Sequence, residues 1–251
     1  MKLTRQFSPT LARLAPWQQA TLLSGLIVGS LLVVLAGSLA VPGTFVVLVL
    51  VALGLQASIF AVSDRQLDAV PDRGRLLTTA TVLTTCRGSA AVVLAGFLVV
   101  ERPTGMLVWL PALLFGAAAL LDGVDGQLAR ATGTESAFGS RLDTEMDSLA
   151  LLIGVAVAIR FGQAPLVFLL VGLARYAFVA GIIRRRWQGI RVGELPARSS
   201  RRILGAGMMG VVFCLLTPVL DGNQGGVLAI VAMVPFLLGF VRDWWLLTRR
   251  E

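Results

Sequence analysis

Long apolar segments dominate this chain and leave few architectures open to it. A helix that crosses the hydrocarbon core of a bilayer needs about 20 mostly apolar residues. Only 14% of the 251 residues are charged, and the mean hydropathy is +0.83. The sequence therefore predicts an all-α polytopic membrane helical bundle, and it excludes an ordinary soluble globule, a disordered chain and a secreted disulfide scaffold. About eight spans are expected, at 20–41, 44–63, 77–100, 106–121, 148–161, 164–183, 203–220 and 226–241.

The residue types and the placement of charge narrow the function further. Histidine is absent, which excludes imidazole-ligated haem or zinc sites and every mechanism that uses a histidine base. The net charge of +8 follows membrane topology rather than nucleic-acid binding. If the N-terminus is cytoplasmic, the outer loops of an eight-span arrangement hold only Arg102 and Arg160. This asymmetry is typical of the positive-inside rule and favours that orientation.

The linker at 64–76 divides the predicted spans into two groups. It is polar and contains Pro71 and Gly74, and its apolar spacing would also suit a short interfacial helix. We therefore predict a cytoplasmic tail and two-helix hairpin at 1–63, the interfacial linker at 64–76 and a six-helix domain at 77–251. A cleaved signal peptide ending near Ala40 is the alternative for the first span, although its length favours a retained helix.

Acidic residues are concentrated between the fourth and fifth predicted spans. Asp122 and Asp125 continue an apolar helix at i, i+3 spacing, and Asp143 and Asp147 are one turn apart on the next helix. Carboxylates within membrane helices are costly and indicate function. If the two helices run antiparallel, the four carboxylates converge at the cytoplasmic boundary.

Four converging carboxylates would repel one another unless cations lie between them. Mg²⁺ binds through carboxylates while keeping positions for substrate phosphate, and a pair of such ions assists phosphoryl displacement. Gly123, Gly126 and the small Ala129 would let a bulky ligand approach the backbone. Arg130, one turn further on, is placed to bind a phosphate through two hydrogen bonds.

The spacing of these residues resembles the signature of the CDP-alcohol phosphatidyltransferase family. Its eight fixed residues all occur at the required spacings: Asp122, Asp125, Gly126, Ala129, Arg130, Gly139, Asp143 and Asp147. Upstream, Thr81, Thr84 and Arg87 are similar to the family's Asn-x-x-Thr-x-x-Arg, with Thr81 in the Asn position. The resemblance covers about residues 74–248 and includes the six-helix core but not the leading hairpin.

The resemblance implies displacement of CMP from a CDP-linked lipid donor, usually CDP-diacylglycerol, by an alcohol acceptor in phospholipid synthesis. It implies that Asp122, Asp125 and Asp143 hold two divalent ions, Mg²⁺ or Mn²⁺. It further implies that Asp147 is the general base and also touches a metal. The residues that it assigns to the CDP-donor slot are Gly123, Gly126, Ala129, Arg130, Gly139 and Thr84. A homodimer is also implied. We expect a bacterial plasma membrane, and the arginine distribution favours an active site that faces the cytoplasm.

Arginines indicate where the acceptor binds. Arg175 lies inside an otherwise apolar span, where a cation is costly without an anionic partner, and seven more arginines fall within 184–202. The acceptor-binding residues predicted from them are Arg175, Arg198, Arg201 and Arg202. They favour a phosphate-bearing acceptor such as glycerol 3-phosphate or inositol phosphate. Topology anchoring and attraction to anionic lipids explain the 184–202 arginines equally well, and serine remains open as an acceptor.

A membrane transporter or ion pathway that uses the acidic cluster as cation ligands is the alternative function. It predicts acids near the middle of the membrane and interrupted helices in matching halves of the chain. Here the acids cluster at one face, in one pair of helices, beside glycines. The enzyme is therefore the favoured interpretation.

Overall fold

A computed structural model describes residues 14–38, 41–65, 79–119, 137–190 and 199–248. Within these ranges the chain forms eight helices and no strand, which confirms the all-α prediction. The helices are α1 Pro16–Ser38, α2 Gly43–Arg65, α3 Thr79–Ala95, α4 Gly105–Ala119, α5 Ala137–Arg160, α6 Leu169–Trp187, α7 Ser199–Leu216 and α8 Gly222–Thr248.

Each apolar segment of the sequence contains one of these helices. By length and composition, five described helices could cross a membrane: α1, α2, α3, α6 and α8. Helix α4 is apolar but shorter within its described part, and α5 and α7 carry charged residues within their first two turns. The fold is that of a polytopic membrane bundle, and the count of eight spans stays a prediction.

The described residues divide into two compact units. The first lies within 1–100 and 113–150, and the second within 101–112 and 151–251. In the first unit α1, α2 and α3 pack against one another. Helix α3 is its central element, because 72% of its apolar window is buried, against 22% for α1 and 28% for α2. The predicted domain division at 63 and 77 stays a prediction.

The first unit depends on close approach between α2 and the end of α3. The ring of Phe45 lies edge-on to the ring of Phe97, with 5.3 Å between their centroids. A Cβ atom at Gly96 would lie 2.5 Å from the Phe45 ring. Without a hydrophobic driving force between helices in lipid, such van der Waals packing over small residues is a main source of helix association.

In the second unit, α8 packs against α6 and α7. The centroid of the Trp244 ring on α8 lies 5.9 Å from that of the Phe178 ring on α6, and the Trp244 ring covers Gly181. Helix α8 begins with a capping box. The backbone N–H of Gln224 donates to Asp221 Oδ1 at 2.8 Å, and the backbone N–H of Asp221 donates to Gln224 Oε1 at 3.4 Å. Two backbone N–H groups at the start of α8 thereby find acceptors.

Arg102 lies on one loop of the second unit and contacts two others. Its guanidinium donates to the backbone oxygen of Thr217 at 2.7 Å and lies 5.9 Å from the centre of the Phe161 ring. Burial lowers the pKa of this arginine below its usual value. The loops before α4, after α5 and before α8 therefore meet at one end of this unit.

Substitution of Gly96 by alanine should lower the thermal stability of the purified protein. A helix-compatible glycine normally gains about 0.5–1 kcal/mol on change to alanine, but here the new Cβ would overlap the Phe45 ring, at a cost of about 1–3 kcal/mol. Differential scanning fluorimetry in detergent measures the change.

Gly29→Ala on α1 is the matched control, because no atom lies within 4 Å of its Cβ position. This variant should be at least as stable as the parent. A second change, Phe45→Leu, should restore part of the loss in Gly96→Ala, and a purely additive pair would show that the ring is not the cause.

Candidate active site

The described part of the acidic segment lies on the first half of α5. Asp143 and Asp147 are one helical turn apart, and their side chains are 36% and 37% exposed. Leu142 and Met146, the residues that precede them, are completely buried. The two carboxylates therefore border the buried face of α5, where they are accessible and held close to the core.

Both carboxylates contact the guanidinium of the same buried arginine. Arg87 Nη2 lies 2.7 Å from Asp143 Oδ1 and 2.8 Å from Asp147 Oδ1, and it also donates to the backbone oxygen of Asp143 at 3.1 Å. The Arg87 side chain is only 1% exposed. One guanidinium thus offsets the repulsion between two neighbouring acids and fixes α5 against α3.

Helix α3 brings Arg87 to this position on a face that is unusually polar. Thr81, Thr84 and Thr85 are each at most 2% exposed. The Thr85 hydroxyl donates to the backbone oxygen of Thr81 at 2.8 Å, one of the local bonds that lets hydroxyls be buried in a helix. Thr84, predicted to bind the donor, lies one turn before Arg87 on the same helix.

The rest of the predicted donor and metal site falls largely outside the described residues. Gly139 lies in the first turn of α5. The residues that are not described are Asp122, Gly123, Asp125, Gly126, Ala129 and Arg130. Their convergence with Asp143 and Asp147 stays a prediction.

The described residues fit a divalent cation in their chemistry. Asp143 and Asp147 offer carboxylate oxygens, the ligands that Mg²⁺ prefers, and Arg87 Nη2 lies against Oδ1 of each. Among the described residues, no group of three or more acids or thiols surrounds a single point. A complete cation site would therefore draw further ligands from 120–136, where the sequence places Asp122 and Asp125.

The described acceptor residues, Arg175, Arg201 and Arg202, belong to the second unit. Arg175 is partly buried on α6 and Arg202 is exposed on α7, whereas Arg198 lies outside the described residues. Arg201 forms an ion pair with Asp243 on α8, with Nε and Oδ2 2.6 Å apart. The structure thus joins α7 to α8 through one of the predicted phosphate-binding arginines.

Two residues of this arrangement received no role from the sequence, although Arg87 belongs to the upstream motif that resembles the family's. Arg87 and Asp243 are both charged residues within largely apolar helices. A charged residue within an apolar helix is the signal that singled out Arg175, and it could have identified Arg87 and Asp243 as well. It indicates that a partner exists but does not say which one.

The fold and the paired carboxylates define an integral membrane protein with an acidic site at the start of one helix. Residues 77–245 match the CDP-alcohol phosphatidyltransferase family, and the chain belongs to that family. The match includes Arg87, Asp143, Asp147 and every residue of the signature.

A shorter stretch is similar to a curated protein. Over 94 residues, the chain is 34% identical to the CDP-diacylglycerol--serine O-phosphatidyltransferase of Mycobacterium leprae (strain TN). The similarity covers 38% of this chain and 25% of that relative, so the chain spans about a quarter of the relative's length.

Replacement of Arg87 by methionine should destabilise the protein most strongly when divalent cations are absent. The two carboxylates would lose their shared cation, and about 2 kcal/mol is expected because both acids are partly solvated. Unfolding temperatures measured in EDTA and in Mg²⁺ test this.

Mg²⁺ should recover more stability in Arg87→Met than in the parent, because a dication at the same carboxylates replaces the lost charge. Arg102→Met, which removes an arginine remote in sequence from the acids, provides the control and should show no extra Mg²⁺ response. An equal response in all three proteins would mean that the guanidinium and the metal do not share these carboxylates.

Proposed function

We propose that this protein transfers a phosphatidyl group from a CDP-linked lipid donor, CDP-diacylglycerol, to an alcohol acceptor with release of CMP. The observation that supports it best is the carboxylate pair of α5 held by Arg87 within the family-matched region. The reaction belongs to phospholipid synthesis.

In the proposed reaction, Asp147 takes the proton from the acceptor hydroxyl. The acceptor oxygen forms a bond to the phosphorus that carries diacylglycerol, and the bond from that phosphorus to the CMP oxygen breaks. Asp122, Asp125 and Asp143, with Asp147, would hold two Mg²⁺ or Mn²⁺ ions, which when bound neutralise charge on the donor pyrophosphate. Arg87 keeps both α5 carboxylates in one orientation.

The donor slot is proposed to be formed by the small residues of the signature at 122–147, together with Thr84 of α3. Small residues leave room for the cytidine and pyrophosphate groups, while Arg130 and Thr84 supply hydrogen-bond donors. The small residues concerned are Gly123, Gly126, Ala129 and Gly139.

A phosphate-bearing acceptor, glycerol 3-phosphate or inositol phosphate, is proposed for the arginines of the second unit. Asp243 restrains the Arg201 side chain through the 2.6 Å ion pair, and an oriented guanidinium binds phosphate better than a mobile one. Arg175, Arg198 and Arg202 complete the proposed set. Serine is a second candidate, favoured by the name of the Mycobacterium leprae relative.

The proposed location follows from the substrates and the charge distribution. The acyl chains of the donor stay in the bilayer, and the soluble acceptor and CMP exchange with the cytoplasm. We therefore propose that the acidic site lies on the cytoplasmic side of a bacterial plasma membrane. A homodimer is proposed only because the resemblance to the family implies one.

Purified protein should release CMP from CDP-diacylglycerol only when Mg²⁺ or Mn²⁺ and the correct acceptor are present. Glycerol 3-phosphate, inositol phosphate, inositol and serine are supplied singly, and the product lipid is identified by mass spectrometry. Asp147→Asn should reduce turnover by about a hundredfold or more, the usual effect of losing a general base, while donor binding survives.

Asp143→Asn is the blank for metal-dependent release. Full turnover by Asp147→Asn would show that the base is assigned wrongly. Cation uptake by proteoliposomes without CMP formation would instead favour the transporter.

Arg201→Ala tests the nature of the acceptor. If Arg201 binds the acceptor phosphate, its removal should raise the KM for a phosphate-bearing acceptor about tenfold or more, since a hydrogen bond to a charged group is lost. The KM for the CDP-linked donor should not change. Steady-state kinetics at saturating donor measure both constants.

Arg242→Ala removes an exposed arginine next to Asp243 and is the control for net charge. Equal increases in KM in the two variants would indicate general electrostatic attraction. No increase in either, with serine as the productive acceptor, would refute the phosphate pocket.

A further inference from the structure

The N-terminal hairpin is joined to the catalytic helices by a buried polar network. The Ser24 hydroxyl on α1 donates to Gln56 Oε1 on α2 at 2.8 Å and lies 2.8 Å from the Ser89 hydroxyl on α3. Gln56 Nε2 faces Met146 Sδ on α5 at 3.7 Å. All four side chains are completely buried, so four helices meet at one set of polar atoms.

The backbone of α3 leaves room for this network at Gly88. A Cβ atom at Gly88 would lie 2.4 Å from Gln56 Nε2 and 2.5 Å from Met146 Sδ. Any larger residue would therefore displace both the amide and the thioether. The Gln56 side chain reaches past α3 to α5 only because this position is glycine.

The network touches the two segments that form the candidate active site. Gly88 directly follows Arg87, and Met146 directly precedes Asp147. A shift of α5 along α3 that broke the contacts of Met146 would move Asp143 and Asp147 relative to Arg87. The hairpin thus contacts the helices of the site without supplying a group to it in the described residues.

Packing alone does not require polar residues at positions 24, 56 and 89. Apolar side chains of similar volume would fill the same space, whereas a buried amide must keep its hydrogen-bond partners. Because Gln56 Oε1 finds Ser24 in only one relative placement of α1 and α2, the network favours one register over neighbouring ones. Buried polar groups are best attested in this role of fixing register.

We propose that Gln56 is a positioning residue, through which the hairpin holds α3 and α5 in the register that brings Arg87 to Asp143 and Asp147. The proposal rests on the proposed function for its catalytic consequence, but the positioning itself is a property of the fold. Gln56 acts through Met146 and Gly88 and does not touch substrate.

The first test is the dependence of CMP release on Mg²⁺. Gln56→Leu should raise the Mg²⁺ concentration at half-maximal rate about tenfold and lower kcat, as expected when residues that orient metal ligands are removed. The KM for the acceptor should not change. A residue that only stabilises the fold would lower the yield of folded protein and leave the Mg²⁺ midpoint and kcat per folded molecule unchanged.

The matched controls are two serine substitutions on α1. Ser24→Ala removes a hydroxyl from the network, whereas Ser30→Ala removes an exposed one that donates to the backbone oxygen of Leu26. Ser24→Ala should shift the Mg²⁺ midpoint in the same direction as Gln56→Leu, though less, and Ser30→Ala should not. Equal behaviour of the two serine variants would overturn the proposal. Intact-mass measurement verifies that α1 is present in every sample.

The second test does not depend on activity. Unfolding temperatures are measured for Gln56→Leu, Asp147→Asn and the double variant in EDTA. If Gln56 positions α5, Asp147→Asn should cost less stability in the Gln56→Leu background, because its contact with Arg87 is already weakened. Strict additivity, as expected for the Ser30→Ala and Asp147→Asn pair, would overturn the proposal.

The two tests separate failure of positioning from failure of the proposed function. If no acceptor supports CMP release but the unfolding temperatures are coupled, the transfer reaction is wrong and the positioning role stands. If CMP is released but the losses in unfolding temperature are additive and the Mg²⁺ midpoint is unchanged, the transfer reaction stands and the positioning role is wrong.

Discussion

The contact between one buried guanidinium and two carboxylates sets the geometry of the first unit. Arg87 is almost fully buried on the central helix, where an uncompensated charge would be strongly destabilising. Asp143 and Asp147 compensate it from α5, and Arg87 in turn prevents the two acids from repelling each other. The register between α3 and α5 is therefore constrained by charge as well as by packing, which couples the stability of the fold to the integrity of the site.

Close approach of helices makes such a contact possible. Gly88 and Gly96 on the α3 segment admit the Gln56 amide and the Phe45 ring at distances that a larger residue would forbid. In a bilayer, where lipid chains are as apolar as side chains, helix association depends on packing of this kind and on hydrogen bonds between helices. The glycine next to Arg87 thus lets the Gln56 amide approach α3 directly beside the residue that binds the acids.

The helices could be predicted from sequence because hydropathy is a local property, and α5 indeed begins well before its apolar run, at Ala137. The i, i+4 spacing also placed Asp143 and Asp147 together. Their partner could not be predicted in this way, because Arg87 is 56 residues away and sequence spacing says nothing about contacts between distant helices. The same applies to Arg201 with Asp243 and to Ser24 with Gln56 and Ser89: a polar residue in an apolar helix indicates that a partner exists, and only the packing identifies it.

The hairpin shows how a segment outside the family-matched region can bear on the site. Most of the residues on α1 and α2 are not buried within the protein, as expected for helices that face lipid, and a minority on each is buried. If these buried residues were all apolar, the hairpin could slide along α3 at little cost. Ser24 and Gln56 remove this freedom, because a shift would leave a buried amide and a buried hydroxyl without partners. The described part of the hairpin therefore contacts both helices that carry the site, α3 through Ser89 and α5 through Met146.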